Sequence, residues 1–211
     1  MYLSKLVFCA KKAIHKDVYD AHQALWALYS DNPQRKRDFL YRELDPTTYL
    51  CLSAREPEDD KGIWRMAVKP FDPKLAEGDR LYVSLRANAV VKRRTAAGRQ
   101  VRYDVVQDAR KRFEERGEPV PPRVELAQEQ GVRWLLDRQE AMGLYFEDLS
   151  LAVTSYMVRR SWHAGQDIRL GTLDFTGFAV VADVDKALKS LREGVGPAKG
   201  FGCGLLLARR A

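Results

Sequence analysis

A chain of 211 residues with 45% hydrophobic content has apolar material for one large domain or two small ones of about 100 residues each. It carries 36 Lys and Arg against 29 Asp and Glu, a formal charge of +7 that favours a polyanionic partner without establishing one. The cysteines Cys9, Cys51 and Cys203 lie far apart and outside any Cys-x-x-Cys spacing. That argues against a disulfide framework and a structural zinc and for a reducing cytoplasm, and no stretch approaches the roughly 18 apolar residues of a membrane span.

Period-two alternation in YLSKLVF, residues 2–8, predicts a strand, and its apolar run is too short for a secretory signal. A helix follows from Asp17, its N-cap, to about Ser30. On that helix Val18, Ala21, Leu25 and Leu28 form an apolar stripe, His22 sits at its edge, and Tyr19, Trp26 and Ser30 occupy the adjoining flank. TYLCLSA, WRMAVKPF and RLYVSLRA read as further strands, the last with Leu81, Val83 and Leu85 on one face and Tyr82, Ser84 and Arg86 on the other. This half approximates a split β-α-β plan. KRRTAAGRQVR then reads as an inserted segment and EPVPP as a domain junction, before a helical run from about Val124 to Met142. Strands at LYFEDLSLAVTSYMVRR and IRLGTLDFTGFAVVAD, a turn at HAGQD, a helix at VDKALKSLREG and a strand at GLLLARR complete the chain. The expected fold class is α+β: tandem ferredoxin-like, RRM-like βαββαβ domains over residues 1–120 and 121–211, joined by a linker.

Three features carry chemistry. There are only three histidines, and His22 has Tyr19 one helical turn before it, so the helix supports either a packed core histidine or a catalytic one. The loop GVGPAKGFGCG, residues 194–204, leads into a strand and lacks Gly-x-Gly-x-x-Gly, which excludes a Rossmann or P-loop reading. Its glycines suit either a tight connection or close approach of backbone N–H groups to a phosphate, with Lys199 adding charge. Basic residues are concentrated: Arg86 to Arg112 holds nine Lys or Arg and two Asp, enough to account for the whole net charge. Arg159 and Arg160 precede the predicted hairpin turn, where their guanidinium groups suit phosphate or a guanine edge.

MYLSKLVF, YDAHQALW, RLYVSLRANAVVKR and GVGPAKGFGCGLL resemble, in order and spacing, the CasE-type CRISPR endoribonucleases, the RNA-processing subunits of type I-E Cascade complexes. The resemblance spans essentially the whole chain. It implies two ferredoxin-like domains that bind the stem-loop of a CRISPR repeat transcript and cut at the 3′ base of the stem without metal or cofactor. It makes His22 the catalytic histidine with Tyr19 beside it at the scissile phosphate. Ala27 stands where a relative has a lysine, so Ser30 or a nearby arginine is expected to substitute. Arg86, Asn88 and Lys92, with Arg93 and Arg94, match the basic strand end, and Arg159 and Arg160, with Arg169, the hairpin entering the RNA groove. Gly196, Lys199, Gly200 and Gly202 match the glycine-rich loop, while Ala89 departs from the family's usual proline. Such chemistry uses the adjacent 2′-OH as nucleophile, so the protein aligns it, moves protons and stabilises phosphoryl charge. The expected partners are the repeat stem-loop and the other Cascade subunits, with no membrane. The rival reading is a non-catalytic subunit that caps the guide-RNA hairpin.

Overall fold

The computed structural model describes residues 1–9, 18–29, 37–94, 98–163 and 166–211, with the backbone alone for 18–22, 161–163 and 166–168. It is an α+β structure built on antiparallel sheets. The first sheet contains β1 (Tyr2–Phe8), β2 (Phe39–Asp45), β3 (Thr48–Ser53) and β4 (Trp64–Pro70) in the order β2-β3-β1-β4, with α1 (Val18–Ala27) crossing between β1 and β2. Alternate residues Leu6, Phe39, Tyr41, Tyr49, Cys51 and Trp64 meet Leu25, Leu28 and Tyr29 from the helix region. The Tyr29 ring stacks on Phe39 with centroids 4.5 Å apart, which anchors the chain just beyond the helix. Strand β2 has no clean sequence alternation because both faces of its first three residues, Phe39 to Tyr41, are buried. Phe39 and Tyr41 lie under α1, while Leu40 joins Leu52 and Leu205 between the two sheets.

The second sheet follows the order β11-β5-β10-β8, made by β5 (Arg80–Ala87), β8 (Leu144–Phe146), β10 (Gln166–Val181) and β11 (Leu206–Arg210). Strand β9 (Ala152–His163) pairs with the other end of β10. Helices α2 (Val105–Glu115), α3 (Arg123–Leu136), α4 (Gln139–Met142) and α5 (Val184–Glu193) complete this part of the chain. Leu126, Trp134, Leu135 and Leu191 pack with Leu81, Val83, Leu85 and Phe175 in one core.

Several expectations are corrected. The first sheet ends with β4 at Pro70, and β5, which begins at Arg80, lies between β10 and β11 in the second sheet. Local alternation identifies β5 as a strand but says nothing about its partners. The expected insertion KRRTAAGRQVR overlaps two antiparallel strands, β6 (Val90–Arg94) and β7 (Gln100–Asp104), with residues 95–97 outside the described residues, and β7 leads directly into α2. That helix is poorly legible because its strongly charged sequence buries only Val105, Val106 and Ala109. The helical run beginning near Val124 breaks after Leu136 and ends at Gly143, whose φ is +66°. A short 3-10 turn at Asp148–Ser150 likewise interrupts the strand predicted from Leu144 onward.

Candidate nucleic-acid interface

Tyr19 and His22 lie on α1, and buried Leu25 and Leu28 fix the C-terminal part of that segment against the first sheet. Cα atoms of α1 come within 8 Å of β9 and of the 3-10 turn Lys199–Phe201 in the glycine-rich loop. The histidine-bearing helix, the basic strand and the loop are therefore neighbours, although they are far apart in sequence. Ser30 and the predicted cap Asp17 lie outside the described residues.

The glycine-rich loop is shaped by close packing. Gly202 has φ +78°, and a Cβ there would stand 3.1 Å from the Tyr41 ring. Gly204, at φ +91°, donates its N–H to the Arg86 carbonyl at 2.7 Å. The Tyr41 hydroxyl donates to the Gly200 carbonyl at 3.1 Å, tying the loop to β2. Gly196 packs against Trp134. Lys199 does not project freely: its Nζ donates to the Glu193 carbonyl at 2.6 Å and caps α5. Partial burial, with Arg37 nearby, holds the Lys199 ammonium below its usual pKa.

Beside this loop, ion pairs stitch the two sheets together. Arg86 Nε and Nη2 donate to the two Asp174 carboxylate oxygens at 2.8 and 2.9 Å, and its Nη1 donates to the Glu43 carbonyl at 3.1 Å. This bidentate bond raises the Arg86 pKa above its usual value against the effect of burial. Arg42 donates to Ser84 Oγ at 2.8 Å and lies 3.6 Å from Asp174. Arg159 Nη1 donates to the Glu43 carboxylate. Asn88 Nδ2 donates to the Gly171 carbonyl at 2.7 Å, holding the end of β5 against β10. Arg86 and Asn88, expected at RNA, are thus engaged by protein groups, and Ala89 is fully buried.

Two basic grooves are lined in part by α2 and α3. Arg160 and Arg169 are exposed cross-strand partners on β9 and β10. They line a groove of about 600 Å³ with Arg110, Arg123 and the apolar Val120 and Val158. Like charges directly opposite one another cost stability in isolation, and the pair presents positive charge suited to a polyanion. The second groove, about 760 Å³, is bordered by Lys92, Arg93, Arg102, Arg112, Arg133 and Arg138, and Pro197 of the glycine-rich loop also lines it. Arg93 forms two bonds to Asp108, at 3.0 and 2.7 Å, and Lys92, Arg93 and Arg94 are all exposed. The Arg138 guanidinium lies 3.9 Å from the Trp134 ring centroid.

Sequence reasoning singled out Lys92, Arg93, Arg160 and Arg169 but not Arg123, Arg133 or Arg138 as site residues. The latter three lie on or beside α3, beyond the basic window, and join the grooves only through helix packing. Among the described residues, no three His, Cys, Asp or Glu side chains form a candidate metal cluster, and no helix is long and apolar enough to cross a membrane.

Residues 1–210 match a family model described as CRISPR associated protein. The chain is 29% identical over 214 residues to the CRISPR system Cascade subunit CasE of Escherichia coli, covering 98% of each protein. It is 30% identical over 220 residues to the CRISPR-associated endoribonuclease Cse3 of Thermus thermophilus, again covering 98% of each. The chain belongs to the CasE/Cse3 family of CRISPR-associated proteins. It is also similar to Thermus thermophilus Cse3 solved with an RNA representing a pre-cleavage complex: TM-score 0.73, 27% identity, and coverage of 99% of this chain and 98% of the other. The CasE/Cse3 resemblance thus extends through both sheets and the connecting elements.

Proposed function

We propose that this protein is a metal-independent endoribonuclease that cleaves precursor CRISPR RNA at the 3′ base of each repeat stem-loop and retains the product hairpin as a Cascade subunit. The observation that carries this reading is the approach of α1, bearing His22, to β9 and the glycine-rich turn, with Arg160 of β9 and Pro197 of the glycine-rich loop each lining a basic groove. The names of the relatives support the same class of reaction and assembly.

His22 transfers a proton during attack of the adjacent 2′-OH, leaving a 2′,3′-cyclic phosphate and a 5′-hydroxyl product. Tyr19 orients the reacting groups, and Ser30 is assigned a supporting role at the phosphate. Lys92, Arg93, Arg94, Arg159, Arg160 and Arg169 hold the stem, while Gly196, Gly200 and Gly202 admit the RNA backbone close to the loop. Arg86, Asn88 and Lys199 fit positioning roles because of their protein bonds. The two β-sheet units are read as tandem ferredoxin-like domains, and the assembly is assigned to the cytoplasm.

A labelled CRISPR-repeat hairpin, excess protein and EDTA provide the test. Wild type is expected to cut once at the stem base. His22→Ala and a 2′-deoxy substitution before the cut should each slow cleavage by at least about 100-fold while leaving binding within about twofold. Binding by wild type without cleavage would instead support the guide-RNA cap.

A further inference from the structure

We propose that Glu43, an acidic residue on β2, is a positioning residue for Arg159 and promotes binding of the anionic RNA. This extends the reading of Arg159 as an RNA contact. The two side chains come from different sheets, and the Glu43 carboxylate accepts a hydrogen bond from Arg159 Nη1. Their side chains are 25% and 27% exposed, respectively, so the pair is partly open to solvent. Both residues line the small recess that contains Thr172 and Gly202, directly beside the glycine-rich loop.

The contrast with Arg86 explains the assignment. A guanidinium has five N–H donors in a fixed plane. Arg86 directs three nitrogens at Asp174 and Glu43, with only 15% of its side chain exposed, so it serves as a stitch between sheets. Among the described residues, Arg159 is tied at one nitrogen, and it is more exposed, leaving the rest of its planar fork for phosphate. Holding one edge of a long, flexible side chain lowers the conformational entropy lost when the other edge meets RNA. The Glu43 backbone contributes as well, because its carbonyl accepts from Arg86 and fixes the end of β2 beside the same recess.

Simple charge repulsion makes the opposite prediction: removal of Glu43 from a polyanion-binding face would tighten binding. Repeat-hairpin affinity, its salt dependence and single-turnover cleavage are therefore measured for Glu43→Ala, Glu43→Gln, Arg159→Ala and the Glu43→Ala/Arg159→Ala double variant. Glu43→Ala is expected to weaken binding about fivefold to tenfold, a modest positioning effect, with Glu43→Gln recovering most of the loss by preserving an acceptor. Arg159→Ala should also make the salt slope shallower by about one phosphate contact, and adding Glu43→Ala to it should cause no further loss. Equal or tighter RNA binding by Glu43→Ala, alongside weaker binding by Arg159→Ala, overturns the positioning role alone. Unchanged affinity and salt slope in Arg159→Ala overturn the underlying assignment of Arg159 to RNA. Thermal melts separate these effects from loss of fold, and Glu43→Gln supplies the decisive comparison if the alanine variant unfolds.

Discussion

Asp104 shows how one side chain fixes several local features. Its Oδ1 accepts from the N–H groups of Val106 and Gln107 at 2.9 and 3.0 Å and from the Tyr156 hydroxyl at 3.0 Å. It therefore caps α2 while tying the helix to β9. Its Oδ2 is buried without a hydrogen-bond partner among the described residues and packs where a Cβ on Gly171 would lie 1.7 Å away. Burial raises the Asp104 pKa, with the hydrogen bonds from Gln107, Tyr156 and Val106 opposing that shift. A raised folded-state carboxyl pKa contributes stability below the unfolded pKa and loses it as pH rises through the folded value. Asp104→Asn should consequently gain stability relative to wild type as pH rises from below the ordinary carboxylate range to neutrality, as measured by thermal melts across that window. A constant difference would argue that Asp104 does not titrate differently in the two states.

At the scale of elements, the β9–β10 hairpin combines a stability cost with binding capacity. Arg160 and Arg169 face one another across the register, with Arg110 and Arg123 on the same groove. Arg160→Thr replaces a like-charge pairing with a residue suited to a strand. It is expected to stabilise the protein by about 0.5 kcal/mol while making the salt slope of hairpin binding shallower by about one unit. Denaturant titrations and salt-dependent binding measure those opposite effects. Sequence alternation identifies the two long strands, but the arginine register becomes visible only when the strands pair. The β6–β7 pair is harder to recognise because its basic residues obscure the apolar pattern.

The whole molecule depends on a junction of apolar packing and charge. Leu40 and Leu52 meet Leu205 between the sheets, while Arg86 joins Asp174 to the carbonyl of Glu43. The Arg86 and Asp174 side chains are only 15% and 14% exposed, so removing the guanidinium leaves a poorly solvated carboxylate. Arg86→Ala should destabilise the protein by about 3 kcal/mol. Calorimetry should give one unfolding transition for wild type, and that variant should melt lower or separate into two transitions as coupling between the sheets weakens. An unchanged melt would exclude Arg86 as an important stitch.

Composition and alternation by themselves determined the α+β class, most strands, and the concentration of positive charge between Arg86 and Arg112. The ordered motifs in the strands, first helix and glycine-rich loop also made the CRISPR-associated family legible. Only the tertiary structure decided that β5 belongs to the second sheet, that Arg133 of α3 and Arg138 just beyond it join a basic groove, and that Glu43 meets Arg159. The physical reason is the range of the interactions. Alternation, turns and local charge act between near neighbours in the chain, whereas sheet partnership and opposing guanidinium and carboxylate groups are set by contacts between residues far apart in sequence.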